Sequence, residues 1–171
     1  MNKIGASVLK VLAIACLLPA AAAAQSTPTQ IGTNKAWDAY TYTENGKKNC
    51  YMVSKPTRSQ PSNVQRGDIY FMVTHRPAED VRDEISIYIG YPYKQGAPAD
   101  VRIGSQSYVL VTEGENAWAP DPKADARLVK MMKRGATMDL RGLSARGTKT
   151  TDRFSLLGFT AAHKLIDRAC K

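Results

Sequence analysis

Apolar and polar residues alternate along much of this chain in short runs. Ile69, Phe71 and Val73 take every second position of DIYFMVTH, and Ile85, Ile87 and Ile89 do the same through EISIYIG. A period of two puts one set of side chains on one face, the pattern of a half-buried strand. WDAYTYTE, NCYMVSK, SYVLVTE, TMDLRGLSA and TTDRFSL supply further strand candidates. Glycine-containing turns separate several of them, and ENGKKN between the first two predicts a hairpin. Many short strands at this spacing predict a mainly β fold, an antiparallel sandwich or partly closed barrel.

Two segments change period. Asp121 can cap a helix that opens with Pro122 and closes on Lys130, Lys133 and Arg134, with Gly135 as its stop. Leu128, Met131 and Met132 give that helix an apolar side. A second helix begins near Phe159, where Phe159, Ala162, Ile166, Ala169 and Cys170 fall on one stripe. This C-terminal helix turns Cys170 toward the core.

The first residues, MNKIGASVLKVLAIACLLPAAAAAQ, have the layout of a secretory signal peptide. Lys3 and Lys10 form the positive region, Val11 to Leu18 the apolar stretch, and Ala22-Ala23-Ala24 the cleavage site before Gln25. The apolar run is too short for an ordinary transmembrane helix, so no membrane span is expected after cleavage. AIAC also places small residues before Cys16, as a lipoprotein signal does, but Ala13 stands where a larger aliphatic residue is usual. Cleavage after Ala24 is the expectation. Gln25 to Lys35, polar and turn-rich, then predicts a flexible leader. Residues 36–171 form one domain.

Cleavage leaves Cys50 and Cys170 as the remaining cysteines of an exported protein. A pair in an oxidising compartment predicts a disulfide. Closing a loop of about 120 residues stabilises by roughly 4–5 kcal/mol in the chain-entropy model. Losing Lys3 and Lys10 lowers the net charge from +9 to +7. A basic surface suits acidic partners, and export removes nucleic acid from that list. The basic residues are dispersed and interrupted by Asp and Glu, without a polybasic run.

The chain has two histidines. His163 and Asp167 stand at i and i+4 on the predicted C-terminal helix, an imidazole beside a carboxylate. His75 lies in THRPAED at the expected end of a strand. The residues show no GxSxG elbow, HExxH, EF-hand loop or P-loop, and two histidines so far apart in sequence make a poor metal set. No catalytic residue, metal ligand or cofactor site is assigned. The segment THRPAEDVRDEISIYIGYPYKQG is denser in recognition chemistry. Arg76 and Arg82 sit among Glu79, Asp80, Asp83 and Glu84, and Tyr88, Tyr91 and Tyr93 follow. Arginine and tyrosine dominate interface hot spots, which makes these five residues the candidate binding surface. Trp37 and Trp118 are expected in or over the core.

WDAYTYTENGKKNCYMVSKP, GDIYFMVTHRP, NAWAPD and RGTKTTDRFSLLGFTAAHKLIDRAC, in this order, resemble the invasion-associated locus B family of exported bacterial proteins. The likeness runs from about Trp37 to Cys170. It is most specific in VTHRP, in DRFSLLGFTA and in the placing of both cysteines. The resemblance implies a small periplasmic or envelope-associated protein, in a family named for a member linked to host-cell invasion, and brings no catalytic site. Two classes of function follow. One is a non-catalytic envelope protein that binds another protein or an anionic envelope component. The other is a periplasmic hydrolase using His75 or His163.

Overall fold

The computed structural model describes residues 26–171. The signal-peptide reading of residues 1–24, with Cys16 and its lipoprotein alternative, lies outside the described residues. The strands are β1 (Thr29–Asn34), β2 (Trp37–Glu44), β3 (Lys47–Ser54), β4 (Arg58–Gln60), β5 (Tyr70–Arg76), β6 (Val81–Tyr88), β7 (Ala99–Ile103), β8 (Gln106–Glu113), β9 (Asn116–Trp118), β10 (Thr137–Leu143) and β11 (Lys149–Ser155). The helices are α1 (Pro122–Met132) and α2 (Phe159–Ala169). All strand pairs are antiparallel, in the order β1-β2-β3-β5-β6-β9-β8-β7-β10-β11-β4. Among the described residues the sheet does not close, since β1 and β4 remain its two ends.

The alternation seen in the sequence explains how one sheet makes a core. β8 pairs with β9 on one side and β7 on the other, so it joins two halves that face each other. Phe71 of β5 meets Phe154 of β11 with ring centroids 5.8 Å apart. Trp37 of β2 packs edge-on to Phe71 at 6.2 Å and to Phe159 at 4.9 Å, and its Nε1 donates to the Ser155 carbonyl at 3.0 Å. Burying each such aromatic contributes about 1.5–3 kcal/mol, and the edge-on pairs add to that. The expected β2–β3 hairpin is present, with Asn45 and Gly46 both at positive φ as a two-residue primed turn requires.

Both expected helices form. The Asp121 side chain accepts the Ala124 amide at 2.8 Å, Pro122 follows it, and Gly135 donates to the Met131 carbonyl past the end of α1. Beyond the end of β9, the Asp125 carboxylate of α1 accepts the Ile85 amide at 2.9 Å. Helix α2 lays Phe159, Ala162, His163 and Ile166 on the inner faces of the first strands. The disulfide between Cys50 and Cys170 is present, with Cα atoms 6.0 Å apart.

One expectation is corrected. Thr29–Asn34, assigned to a flexible leader, is strand β1 and pairs with β2. Its polar composition hid it, because an edge strand needs backbone partners more than an apolar face. Thr33 Oγ1 donates to Asp38 Oδ1 at 2.6 Å, and Gln30 bonds to both side chains. The three-residue strands β4 and β9 are too brief to show a period, and β7, whose Ala99, Val101 and Ile103 do alternate inward, also went unassigned. Among the described residues no helix is long and apolar enough to cross a membrane.

Candidate functional site

The five residues of the expected binding surface do not form one patch. Arg76 and Arg82 flank the tight turn that joins β5 to β6, and Tyr88 ends β6 opposite Tyr70. Eight strand residues separate the two places by about 23 Å. Arg76 is also occupied. Its Nε donates to Glu79 at 2.7 Å, and Nη1 and Nη2 donate to Glu84 at 2.7 and 2.6 Å, raising its pKa. Arg76, Glu79 and Glu84 therefore satisfy one another, while exposed Arg82 makes no salt bridge among the described residues. Beyond Tyr88 the chain turns inward at Gly90, whose φ is +74°. Tyr93 is buried and Tyr91 half-buried, on the same odd parity as the buried Ile85, Ile87 and Ile89, whereas Tyr88 has the opposite parity.

Tyr91 instead lines a cleft of about 430 Å³, together with Val64, Arg66, Pro92, Ser144 and Arg146. The Tyr91 hydroxyl lies 2.6 Å from Thr150 Oγ1, and the Arg66 guanidinium sits 5.8 Å over its ring. Arg66 also makes a two-pronged ion pair with Asp152, which is completely buried.

A second place was not anticipated. Register pairing carries Arg102 of β7 opposite Asp139 of β10, Asp139 opposite Arg153 of β11, and Arg153 opposite Arg58 of β4. The next row of the same face holds Asp100, Arg141, Thr151 and Gln60, and Lys149 stands one further along β11. This is the outward face of the second half-sheet, since Met138, Leu140, Val101, Asp152 and Phe154 point the other way. It gathers four arginines and one lysine against two carboxylates on four adjacent strands. Arg153 Nε and Nη2 donate to Asp139 at 2.7 and 2.8 Å. That bond, despite partial burial, lowers the Asp139 pKa, and the nearby charges of Arg141 and Arg102 lower it further. Arg58, Arg102 and Arg141 make no salt bridge among the described residues. Like charges held opposite one another, as Arg58 and Arg153 are, cost stability in an isolated sheet. The arginines are spread over four strands far apart in sequence, so the chain reads as dispersed charge and the fold concentrates it.

The two histidines also come together, which corrects the reading of them as separate. Their rings are 5.4 Å apart and edge-on, and both are buried. The Asp83 amide donates to His75 Nδ1 at 3.0 Å, so the proton of neutral His75 sits on Nε2, which donates to Asp167 Oδ1 at 3.0 Å. His163 Nε2 donates to Asp83 Oδ1 at 2.6 Å. His163 Nδ1 is 2.8 Å from Asp167 Oδ2, but at an angle that makes no hydrogen bond. Burial pushes the His75 pKa down, against the hydrogen bond to Asp167. Burial would raise Asp83, but the hydrogen bond from His163 and the electrostatic influence of both imidazoles and Lys133 outweigh it and hold this carboxyl below its usual range.

His75, Asp83 and His163 offer donor atoms within 4.8 Å of one another, a spacing that suits a cation. The protons do not suit one. With an amide donating to Nδ1, the Nε2 lone pair of His75 is taken by its own hydrogen, and ligation would require an imidazolate or a turned ring. Neither imidazole hydrogen-bonds to a hydroxyl or thiol among the described residues. Cys50 is the register partner of His75, so this network and the disulfide fasten α2 at the same point.

The sequence model of the invasion associated locus B (IalB) family matches residues 37–167. No curated protein and no solved structure matches the chain. The match spans the strands of both half-sheets from β2 onward, α1 and all but the last two residues of α2, and so takes in the arginine face, the cleft and the paired histidines. On that extent of the fold, the chain belongs to the invasion associated locus B family.

Proposed function

We propose that this protein is exported to the cell envelope and acts there by binding, without catalysis, an anionic membrane surface. The observation that carries the reading is the outward face of β7, β10, β11 and β4, where Arg58, Arg102, Arg141, Arg153 and Lys149 stand against only Asp100 and Asp139. Export is supported by the signal-like layout of residues 1–24 and by a disulfide linking positions 120 residues apart. A flat, rigid array of guanidinium groups suits phosphate oxygens, which accept bidentate hydrogen bonds. Near a charged bilayer each basic side chain contributes about 1 kcal/mol, so this face yields roughly 3 kcal/mol after its two carboxylates are counted. Such binding is weak, reversible and screened by salt.

The test is co-sedimentation of the mature chain with vesicles of phosphatidylglycerol or of phosphatidylcholine alone. Binding is expected to the anionic vesicles at low salt and to be lost at about 500 mM salt, where the screening length falls below about 5 Å. Arg102→Glu with Arg141→Glu should abolish it without lowering the melting temperature by more than a few degrees. Equal binding to both vesicles, or binding indifferent to the double reversal, overturns the proposal.

A further inference from the structure

We propose that the cleft beside Tyr91 is a second binding site, distinct from the arginine face, for a small organic carboxylate with an apolar body. Its volume of about 430 Å³ lies in the range of small-ligand sites, roughly 300–1,000 Å³. Three chain segments build it, with Val64, Gln65 and Arg66 on one wall, Gly90 to Pro92 on the next, and the Ser144 to Thr148 turn opposite. No residue of the arginine face lines it.

Its construction is costly, and the packing of the sheet does not call for that cost. The Arg66–Asp152 pair has side chains only 7% and 0% exposed, and a buried ion pair is commonly no more stabilising than an apolar pair of the same size. Behind Tyr91, the Tyr93 hydroxyl is buried without a hydrogen-bond partner among the described residues. A Cβ on Gly142 would lie 2.6 Å from the Tyr91 hydroxyl and 2.8 Å from Tyr93 Cε1, so both rings depend on the missing side chain. Strain and imperfectly satisfied polar groups gather at functional sites.

The lining chooses the ligand class. Val64, Tyr91, Pro92 and Ala145 give an apolar wall, and the lining includes two arginines and no carboxylate. Asp152 neutralises Arg66, leaving exposed Arg146 at the rim as a cation without an ion pair among the described residues. Ser144 and Thr148 beside it are already bonded to each other through backbone and hydroxyl, which fixes the backbone of the turn that carries Arg146. One free guanidinium above an apolar wall suits one carboxylate on an apolar stem. That group is carried equally by a free acid and by a polypeptide C-terminus.

The experiment is an amide-resolved NMR titration of the mature chain with N-acetylphenylalanine, with its amide, and with a pentapeptide ending in phenylalanine. The acid is expected to shift Gly90, Tyr91 and Ser144 to Thr148 saturably and to bind at least tenfold tighter than the amide. Arg146→Ala should remove that preference and Arg146→Lys should keep most of it. A pentapeptide that binds tighter than the single acid identifies a polypeptide C-terminus as the source, and a weaker one identifies a free acid. Equal affinity of acid and amide overturns the proposal, as does an acid preference that survives Arg146→Ala. Shifts confined to Arg58, Arg102 or Arg141 overturn it too, by assigning the carboxylate to the arginine face.

Discussion

Asp125 and Asp152 are both buried carboxylates, and the fold treats them differently. Asp152 has a guanidinium, Arg66, placed in two-pronged contact. Arg66→Ala should therefore cost about 3–5 kcal/mol, the usual penalty for leaving a buried charge unpaired, read as a lower midpoint in urea unfolding. A loss below about 1 kcal/mol would mean that water reaches Asp152. Among the described residues Asp125 has only the Ile85 amide as a side-chain partner. Burial pushes its pKa from 3.8 up to about 6, against that hydrogen bond, and Glu84, Asp83 and Asp121 add to the rise. The folded protein thus holds this proton more tightly than the unfolded chain, so Asp125 lowers stability as pH rises from about 4 to about 6. Asp125→Asn keeps an acceptor for Ile85 and removes the charge. The variant should match wild type near pH 4 and exceed it by about 1–3 kcal/mol near pH 8, measured by urea unfolding at both. A difference independent of pH contradicts this account.

Among the elements, α2 shows how much of a fold hangs on one fastening. Phe159 anchors its start against Trp37, and the His75–Asp167 and His163–Asp83 hydrogen bonds hold its middle. Cys170 ties its end to β3. Cys170→Ser should lower stability by about 2–5 kcal/mol, seen in thermal melts of the oxidised protein, and reduction of wild type should reproduce the loss. The stripe of apolar residues at helical spacing, read from the sequence, did place Cys170 inward. The histidines were not legible in the same way. His75 and His163 are 88 positions apart and meet only because α2 crosses the inner face of β5. Asp83, which bridges them, sits at φ 60° in the left-handed region, and no residue pattern announces that turn of the chain.

At the scale of the whole molecule the folded sheet presents two unlike outer faces. Over β2, β3, β5 and β6 it is aromatic, with Tyr40 and Tyr51 stacked at 5.1 Å and Tyr70 paired to Tyr88. Over β7, β10, β11 and β4 it is basic. Net charge alone foresees a salt-sensitive preference for acidic partners spread over the surface. The two-faced arrangement makes a sharper prediction. Reversal of Arg102 and Arg141 should abolish binding to anionic vesicles, whereas reversal of Arg76 and Arg82, which removes the same formal charge, should leave most of it. Co-sedimentation of the two variants side by side checks this, and equal losses would show that only the total charge matters.

The strands of DIYFMVTH and EISIYIG, the two helices and the Asp121 cap of the first, the inward Cys170 and the family likeness are all determined by the sequence itself. Each rests on residues within a few positions of one another, or on a linear order of motifs. The pairing of Cys50 with Cys170 followed from cysteine count, and the structure shows the register that permits it. Strand β1 escaped because its partners are backbone groups, which no side-chain pattern records. The arginine face, the cleft over Asp152 and the paired histidines were decided by tertiary structure alone. Each assembles side chains from strands or turns that are distant in the chain, and antiparallel register, not local spacing, sets which of them share a face.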